Sequence, residues 1–195
     1  MAVQLAHEGC TVVLWDVDLA AVQRVVGEVE AIGQLARAYK VDVANRALVY
    51  ATAKDVLKEF GNVDILINNA GVVSGRSIID ADDARSELTI QVNTIALMWV
   101  TKAFLPSMIA QKRGHVVTMA SGAGRIGARG LVDYAASKFG AIGFDEALRS
   151  ELRHLAPELK TTCVCPGWFS SYARFPSPSP RTKATSTRAC SRACG

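Results

Sequence analysis

The sequence lacks the features that mark membrane-spanning, secreted and metal-binding proteins. No segment reaches the roughly 18 to 20 uninterrupted apolar residues of a membrane span. Met1 is not followed by the basic region and apolar core of a signal peptide. Only 3 of the 195 residues are histidines, and none accompanies a cysteine cluster, so we expect no metal site. These features favour a cytosol-facing, cytoplasmic chain.

The five cysteines do not predict a disulfide framework. Cys163 and Cys165 lie two apart in an apolar run typical of a strand, and we expect them to point to opposite faces and not to pair. Cys10 is isolated, and Cys190 and Cys194 lie near the end of the sequence. The thiols are therefore expected to be reduced.

Charge of one sign is not in excess over most of the chain. The formal net charge is +4, and residues 176–195 contain four basic side chains and no acidic one. The other residues balance 18 basic with 18 acidic side chains, so we expect no nucleic-acid partner. Residues 175–195 are rich in Ser, Pro and Arg without periodicity and are expected to be disordered, which leaves one domain at 1–174.

What the sequence does contain is a repeated alternation of short β-branched runs with longer helical patterns, typical of a parallel α/β sheet. The predicted strands are residues 11–16, 35–41, 63–67, 115–119 and 161–165. Residues 1–8 are predicted to form the last turns of a helix, and a second helix follows Asp18, which can cap it. Three more helices are predicted at residues 45–60, 83–111 and 131–155, and Gly61 ends the first of these three. The order of these strands and helices therefore predicts an α/β fold with a doubly wound parallel sheet.

Tyr134 and Lys138 form the first candidate catalytic pair. They lie four residues apart, on one face of a predicted helix. A phenol is a poor base at neutral pH, but a nearby ammonium group favours the phenolate. Such a tyrosine can take the proton of an alcohol while a hydride leaves the same carbon. The pair alone is weak evidence for a catalytic site, because this spacing is common on solvated helix faces.

Three further features strengthen this interpretation. Ser121 follows a predicted strand, and its hydroxyl can hold a substrate oxygen. Asn93 lies among apolar residues of a predicted helix, where a buried amide needs hydrogen-bond partners. The segment 68–71 (Asn-Asn-Ala-Gly) ends a strand at its carboxyl end, where open parallel sheets bind ligands. Each has an ordinary structural explanation, but together they indicate an active site.

This set of motifs resembles the short-chain dehydrogenase/reductase family over residues 1 to about 172. The resemblance implies a Rossmann-type fold. It also implies that Ser121 orients the substrate, that Tyr134 is the acid/base and that Lys138 additionally holds the nicotinamide ribose. Asn93 would steady a water in the proton relay.

The resemblance and the chemistry together predict an NAD(H) site. Asp16 ends a strand where a carboxylate can accept hydrogen bonds from the adenosine ribose and would repel a 2′-phosphate, which favours NAD over NADP. Asp42 and Val43 are similar to the pair that brackets the adenine. The other predicted cofactor residues are Asn69, Ala70, Gly71, Tyr134, Lys138, Pro166, Gly167 and, at the carboxamide, Ser171.

Several strings, such as Val13-Leu14-Trp15-Asp16 and Ala136-Ser137-Lys138-Phe139-Gly140, resemble the branch of retinol dehydrogenases and 17β-hydroxysteroid dehydrogenase type 11. That resemblance implies a retinoid, steroid or other lipid alcohol or carbonyl as substrate. It also implies a homodimer formed through the two long helices. Members of the branch are found on endoplasmic reticulum or lipid droplets through an N-terminal anchor, which this sequence does not show.

The sequence departs from the family at both ends. It begins within the helix that follows the family's first strand and glycine-rich turn, and after Pro166-Gly167 it no longer resembles the family's C-terminal elements. We therefore expect weak NAD binding and slow or no turnover. The alternatives are a catalytically impaired truncated isoform or fragment, and an NADP-linked carbonyl or 3-oxoacyl reductase.

Overall fold

A computed structural model describes residues 1–167. The helices are α1 Ala2–His7, α2 Leu19–Glu30, α3 Arg46–Phe60, α4 Asp83–Ile90, α5 Ala96–Ala110 and α6 Val132–Leu155. The strands are β1 Val12–Asp16, β2 Ala36–Lys40, β3 Ile65–Asn68, β4 His115–Met119 and β5 Lys160–Val164. A π-helical segment, Gln91–Ile95, joins α4 to α5, and a 3₁₀ turn, Gly122–Gly124, follows β4. Ser171 and residues 175–195 lie outside the described part.

All five strands are parallel to their partners, which confirms the predicted α/β, Rossmann-type architecture. They form two sheets, one of β1 and β2 and one in the order β3-β4-β5. No strand within residues 1–167 joins β1 to β3, so each has an unpaired edge there.

The two sheets share one apolar core. Side chains from β2's end, α3, β3 and α5 meet in it, among them Val41, Val56, Leu66 and Phe104. Trp15 of β1 packs on Phe104 with ring centroids 5.6 Å apart. Burial of this apolar surface stabilises the arrangement even where strand edges lack partners.

Local signals fixed the helix ends as predicted. The Asp18 carboxylate accepts a hydrogen bond from the backbone N–H of Ala21 at 3.0 Å and so caps α2. Asn45 caps α3 in the same way, at 3.1 Å from Leu48. Gly61 ends α3 with a φ of 78°, which a residue with a side chain adopts only at a cost.

The helix predicted at 83–111 is not one regular α-helix. Its turns widen to π-helical geometry at Gln91–Ile95, around Asn93, and such bulges are frequent at functional sites. The span Asp83–Ala110 is long and apolar enough to cross a membrane by length and composition alone. Phe104 and Met108 of this span are buried in the apolar core.

The expectation that Cys163 and Cys165 point to opposite faces was wrong. The sulfur atoms of Cys163 and Cys165 lie 3.9 Å apart on one side of the chain. The physical reason is the two-residue period of a strand, which places neighbours on opposite faces and residues two apart on the same face. The pair is close together, although the thiols are not bonded as a disulfide.

Candidate active site

Lys138 is the most deeply buried charged group of the candidate site. It lies on α6 with 5% of its surface exposed, and its Nζ donates a hydrogen bond of 2.7 Å to the carbonyl of Met119, the last residue of β4. Burial lowers the pKa of Lys138, and the nearby sulfurs of Cys163 and Cys165 oppose that shift. The bond to Met119 aims the ammonium group at the carboxyl end of the sheet.

Tyr134 lies one helical turn before Lys138, as predicted. Its side chain is half-buried, and Lys138 Nζ lies 5.8 Å from the centre of its ring. The α-helical spacing of 3.6 residues per turn therefore does bring the phenol and the amine together on one face of α6.

Ser121 follows β4 and lies two residues after Met119 in the chain, so the backbone brings it near Lys138. Its Oγ accepts a hydrogen bond of 3.2 Å from the N–H of Ala123 and starts the 3₁₀ turn. The turn lies against α6 so closely that a Cβ built on Gly124 would be 2.6 Å from the carbonyl oxygen of Lys138. Only glycine fits there without movement of α6 or the turn.

Asn93 clamps a loop onto α6. Its Oδ1 accepts from the N–H of Val72 at 2.8 Å, and its Nδ2 donates to the carbonyl of Val72 and to Ser137 Oγ, each at 2.9 Å. Asn93 is 1% exposed, and these bonds are the hydrogen-bond partners that the sequence analysis expects for a buried amide. Both N–H donors are used by protein atoms, so a relay water would have to be held by an oxygen of this residue.

The loop held by Asn93 begins with the predicted cofactor residues Asn69, Ala70 and Gly71, all exposed. A Cβ built on Gly71 would lie 3.4 Å from Asn93 Oδ1 and 3.6 Å from Lys138 Nζ. Gly71 thus keeps open a space beside the amide and the ammonium group.

Sequence reasoning missed the residues that connect these elements. Ser137 is fully buried and donates to the carbonyl of Tyr134 at 2.7 Å while it accepts from Asn93. Ser74 donates to Asp133 at 2.9 Å and ties the loop to the first turn of α6. The position of Ser137 between Tyr134 and Lys138 in the sequence was a signal that could have pointed to it. The contact between Ser74 and Asp133 joins residues 59 positions apart, and no local sequence pattern indicates it.

The remaining predicted cofactor residues are distributed over the strand ends. Asp16 ends β1, is exposed, and its Oδ1 accepts from the N–H of Asp18 at 3.0 Å. Asp42 and the half-buried Val43 follow β2, and the N–H of neighbouring Val41 donates to the carbonyl of Asp16 at 2.9 Å. Pro166 and Gly167, both exposed, follow β5.

The carboxyl ends of β4 and β5 are tied to each other. The N–H of Gly122 donates to the carbonyl of Pro166 at 2.9 Å, beside Ser121. Ser121, Tyr134, Lys138, Asn93 and Gly71 therefore belong to one connected region. A cavity of about 340 Å³ lies elsewhere, at the amino ends of β4 and β5, where His115 and Lys160 line it. An ammonium group, a phenol and a strand-end hydroxyl so grouped can bind an oxygen atom and transfer its proton.

Comparison with known proteins identifies the family. A family model described as short chain dehydrogenase matches residues 1–178. Estradiol 17-beta-dehydrogenase 11 of Macaca fascicularis is 41% identical over 171 residues, which cover 87% of this chain and 57% of that protein. Epidermal retinol dehydrogenase 2 of Mus musculus is 45% identical, covering 85% of this chain and 54% of that protein. The chain spans little more than half the length of these relatives.

Solved structures show the same similarity. A metagenomic short-chain oxidoreductase in complex with NADP superposes with a TM-score of 0.81 at 33% identity, covering 86% of this chain and 75% of that one. A short chain dehydrogenase/reductase from Burkholderia phymatum in complex with NAD gives a TM-score of 0.81 at 29% identity, covering 92% and 69%. These similarities confirm the resemblance and the fold expected from the motifs.

Proposed function

The chain belongs to the short chain dehydrogenase family, and from this premise we propose that it is built to transfer a hydride between a lipid alcohol or carbonyl and NAD(H). One observation carries the proposal: the buried ammonium group of Lys138 is fixed to the end of β4, one helical turn from Tyr134. Burying a charge without a use for it would be a net cost in stability.

The residues present fit a nicotinamide cofactor. Gly71 leaves space beside Lys138 and Asn93 that any side chain would fill, and the neighbouring loop residues are exposed. Lys138 would hold the nicotinamide ribose, and the loop beginning at Asn69 together with Pro166-Gly167 would help to hold the nicotinamide. When bound, the nicotinamide supplies the hydride acceptor or donor.

Each catalytic candidate then has a separate task. Ser121 binds the substrate oxygen, and Tyr134 takes the proton from the alcohol or returns it to the carbonyl. The ammonium group of Lys138 stabilises negative charge on the phenol oxygen. Asn93 positions the loop after β3 through its bond with Val72, and it positions α6 through its bond with Ser137. It also belongs to the proposed proton relay.

We further propose a preference for NAD over NADP. The support is the exposed carboxylate of Asp16 at the end of β1, oriented by its bond to the N–H of Asp18. Its charge would repel a 2′-phosphate. Asp16→Asn should raise the affinity for NADP relative to NAD. Asp18→Asn is the matched control, since asparagine also caps helices, and it should leave the ratio unchanged. An unchanged ratio in Asp16→Asn would refute this role of Asp16, and tighter binding of NADPH than of NADH by the parent chain would select the alternative of an NADP-linked reductase.

The proposed substrate is a retinoid, steroid or similar lipid. The relatives are named for estradiol and retinol. We propose that residues 124–131, which lie between Ser121 and Tyr134, form one wall of the substrate site; they are mostly small or apolar. Two cations interrupt this wall, Arg125 and Arg129, both exposed.

The test combines cofactor binding with turnover. Tryptophan emission overlaps NADH absorption, so energy transfer from the three tryptophans, among them Trp15 next to Asp16, reports binding. Alcohol-dependent NADH formation with estradiol or retinol at millimolar NAD reports transfer. Tyr134→Phe should bind NADH like the parent chain and lose transfer. A Tyr134→Phe chain that keeps its rate would refute the role of Tyr134, and a parent chain that binds neither NADH nor NADPH would refute the proposed cofactor.

A second candidate is a catalytically impaired chain from the same family. The division of the strands into two sheets favours it, because β1 and β3 each have an edge unpaired by any strand of residues 1–167. Unpaired buried backbone groups cost about 1 to 3 kcal/mol each, against a total stability of about 5 to 15 kcal/mol. Measurable NADH binding without turnover in the parent chain would select this candidate.

We also propose that the chain faces the cytosol and pairs with a second copy through α5 and α6. Met98 of α5 and Phe139 of α6 are each 48% exposed, and a groove of about 260 Å³ lies between these helices. Residues of the groove include Leu105 and Phe144. Sedimentation of the parent chain and of Phe144→Asp would test the pairing, which should be lost in the variant.

A further inference from the structure

Two thiols at the end of β5 form a feature that the proposed reaction does not use. Cys163 lies in β5 and Cys165 directly follows the strand, with sulfur atoms 3.9 Å apart and both side chains half-buried. They pack against Leu97, Ala120 and Ala141. The thiols are therefore fixed next to each other by the core on one side and remain partly open on the other.

The surroundings of the pair are charged. The exposed guanidinium of Arg125 lies near Cys165, and the Cys165 thiol raises the pKa of Arg125. Burial, and then the neighbouring Cys165, raise the pKa of Cys163 to about 12. Lys138 and Asp145 also lie close enough to influence Cys163. Cys163 is accordingly a protonated thiol at neutral pH.

The spacing of the sulfurs distinguishes between possible ligands. A disulfide needs about 2.05 Å between the sulfurs, so the strand end would have to close by nearly 2 Å. One atom bonded to two sulfurs at about 2.3 Å and a tetrahedral angle, as zinc is, keeps them about 3.8 Å apart. The observed 3.9 Å is that of two unbonded sulfurs in contact, and it is nearer to the spacing across a single bridging atom than to that of a disulfide. Trivalent arsenic, whose three bonds form a pyramid with narrower angles than those of zinc, would draw the two sulfurs slightly closer together. Within residues 1–167 no cluster of three or more metal-ligating side chains exists, so the bridging atom should need only two protein ligands.

We propose that Cys163 and Cys165 form a dithiol site that captures a trivalent arsenical. The step is a condensation: an R–As=O group and two S–H groups give R–As(S–Cys)₂ and one water. Two As–S bonds form, while the As=O bond and both S–H bonds break. Both protons leave with the oxygen, and no atom changes its oxidation state. Protonated thiols are the reactants, which agrees with the state of Cys163.

Capture at this site should also affect the cofactor region, a consequence that rests on the proposed function. Cys165 immediately precedes Pro166, whose carbonyl accepts from Gly122 beside Ser121. An arsenic atom held between the sulfurs stands next to Lys138 and the proposed nicotinamide wall. Energy transfer from the tryptophans to NADH should therefore decrease after capture.

The experiment uses phenylarsine oxide and the full chain with Cys190→Ser and Cys194→Ser, since those two thiols are four residues apart and would form a second dithiol. Intact mass under native conditions should show one phenylarsenic adduct per chain. Cys163→Ser and Cys165→Ser should each lose it, and the control Cys10→Ser should keep it. The adduct should resist 2-mercaptoethanol and be removed by dithiothreitol, as a two-sulfur ring requires.

Several results would overturn the proposal. One is an adduct that persists in Cys163→Ser or Cys165→Ser, and another is its absence from the parent while both cysteines react with a monothiol reagent. A third is slower capture by the native chain than by the urea-unfolded chain, because the fold should hold the sulfurs at bridging distance in advance. Capture without any change in NADH binding leaves the dithiol site established and refutes only its effect on the cofactor region.

Discussion

Replacing Asn93 by alanine tests the connection on which the candidate site depends. The substitution removes three side-chain hydrogen bonds, two to the backbone of Val72 and one to Ser137, at a residue with 1% exposure. Each such bond contributes about 0.5 to 1.5 kcal/mol, and a buried partner left without a bond adds to the loss. The exposed Val72 groups can rebind water, but fully buried Ser137 cannot. We expect the free energy of unfolding to fall by about 2 to 4 kcal/mol.

Urea unfolding followed by circular dichroism measures this change. With a slope of about 2 kcal/mol per molar urea, the midpoint should fall by about 1 to 2 M. The matched control is Asn62→Ala, because Asn62 is exposed and its side chain has no hydrogen bond among residues 1–167; its effect should stay within about 0.5 kcal/mol. Amide exchange at Val72 should also accelerate in Asn93→Ala. An unchanged midpoint together with unchanged exchange would show that the clamp does not hold the loop.

Two further substitutions probe the groups around the ammonium. Gly124→Ala places a Cβ 2.6 Å from the carbonyl oxygen of Lys138 and should lower the free energy of unfolding by about 1 to 3 kcal/mol. The control is Gly127→Ala, whose Cβ would have no atom within 4 Å and should leave the free energy of unfolding unchanged. Equal effects of the two substitutions would refute the close approach at Gly124. Because burial lowers the pKa of Lys138 below 10.5, the unfolded chain binds this proton more tightly, so stability from this group rises with pH in the alkaline range up to that value. Lys138→Met should lose this rise and Lys102→Met should keep it, as urea unfolding at two alkaline pH values will show; a rise retained by Lys138→Met would contradict the assignment.

The predicted elements held where the signal was local. Asp18 and Gly61 act at helix ends as expected, since a cap uses only neighbouring backbone groups. The pairing of Tyr134 with Lys138 needed only the helical period. Strand bounds shifted by one or two residues, as at β3, where the strand ends at Asn68 rather than at residue 67.

Other features had no local signal. The π-helical segment around Asn93 depends on the packing of α4, α5 and α6, which no stretch of sequence contains. The bond between Ser74 and Asp133 joins residues 59 positions apart. The cysteine pair was predicted incorrectly although its signal was local, because the strand period was applied with the wrong parity.

By itself, the sequence determined the alternation of strands and helices, the helix ends, and the presence of a phenol, an amine and a hydroxyl in the order that the family uses. Short-range hydrogen bonds and side-chain periodicity act over a few residues, so they can be read without a fold. The tertiary structure decided which of these groups meet: the burial of Lys138 against Met119, the clamp of Asn93 on Val72, and the division of the strands into two sheets. Those outcomes depend on contacts between distant segments, whose free energy arises only when the common core packs.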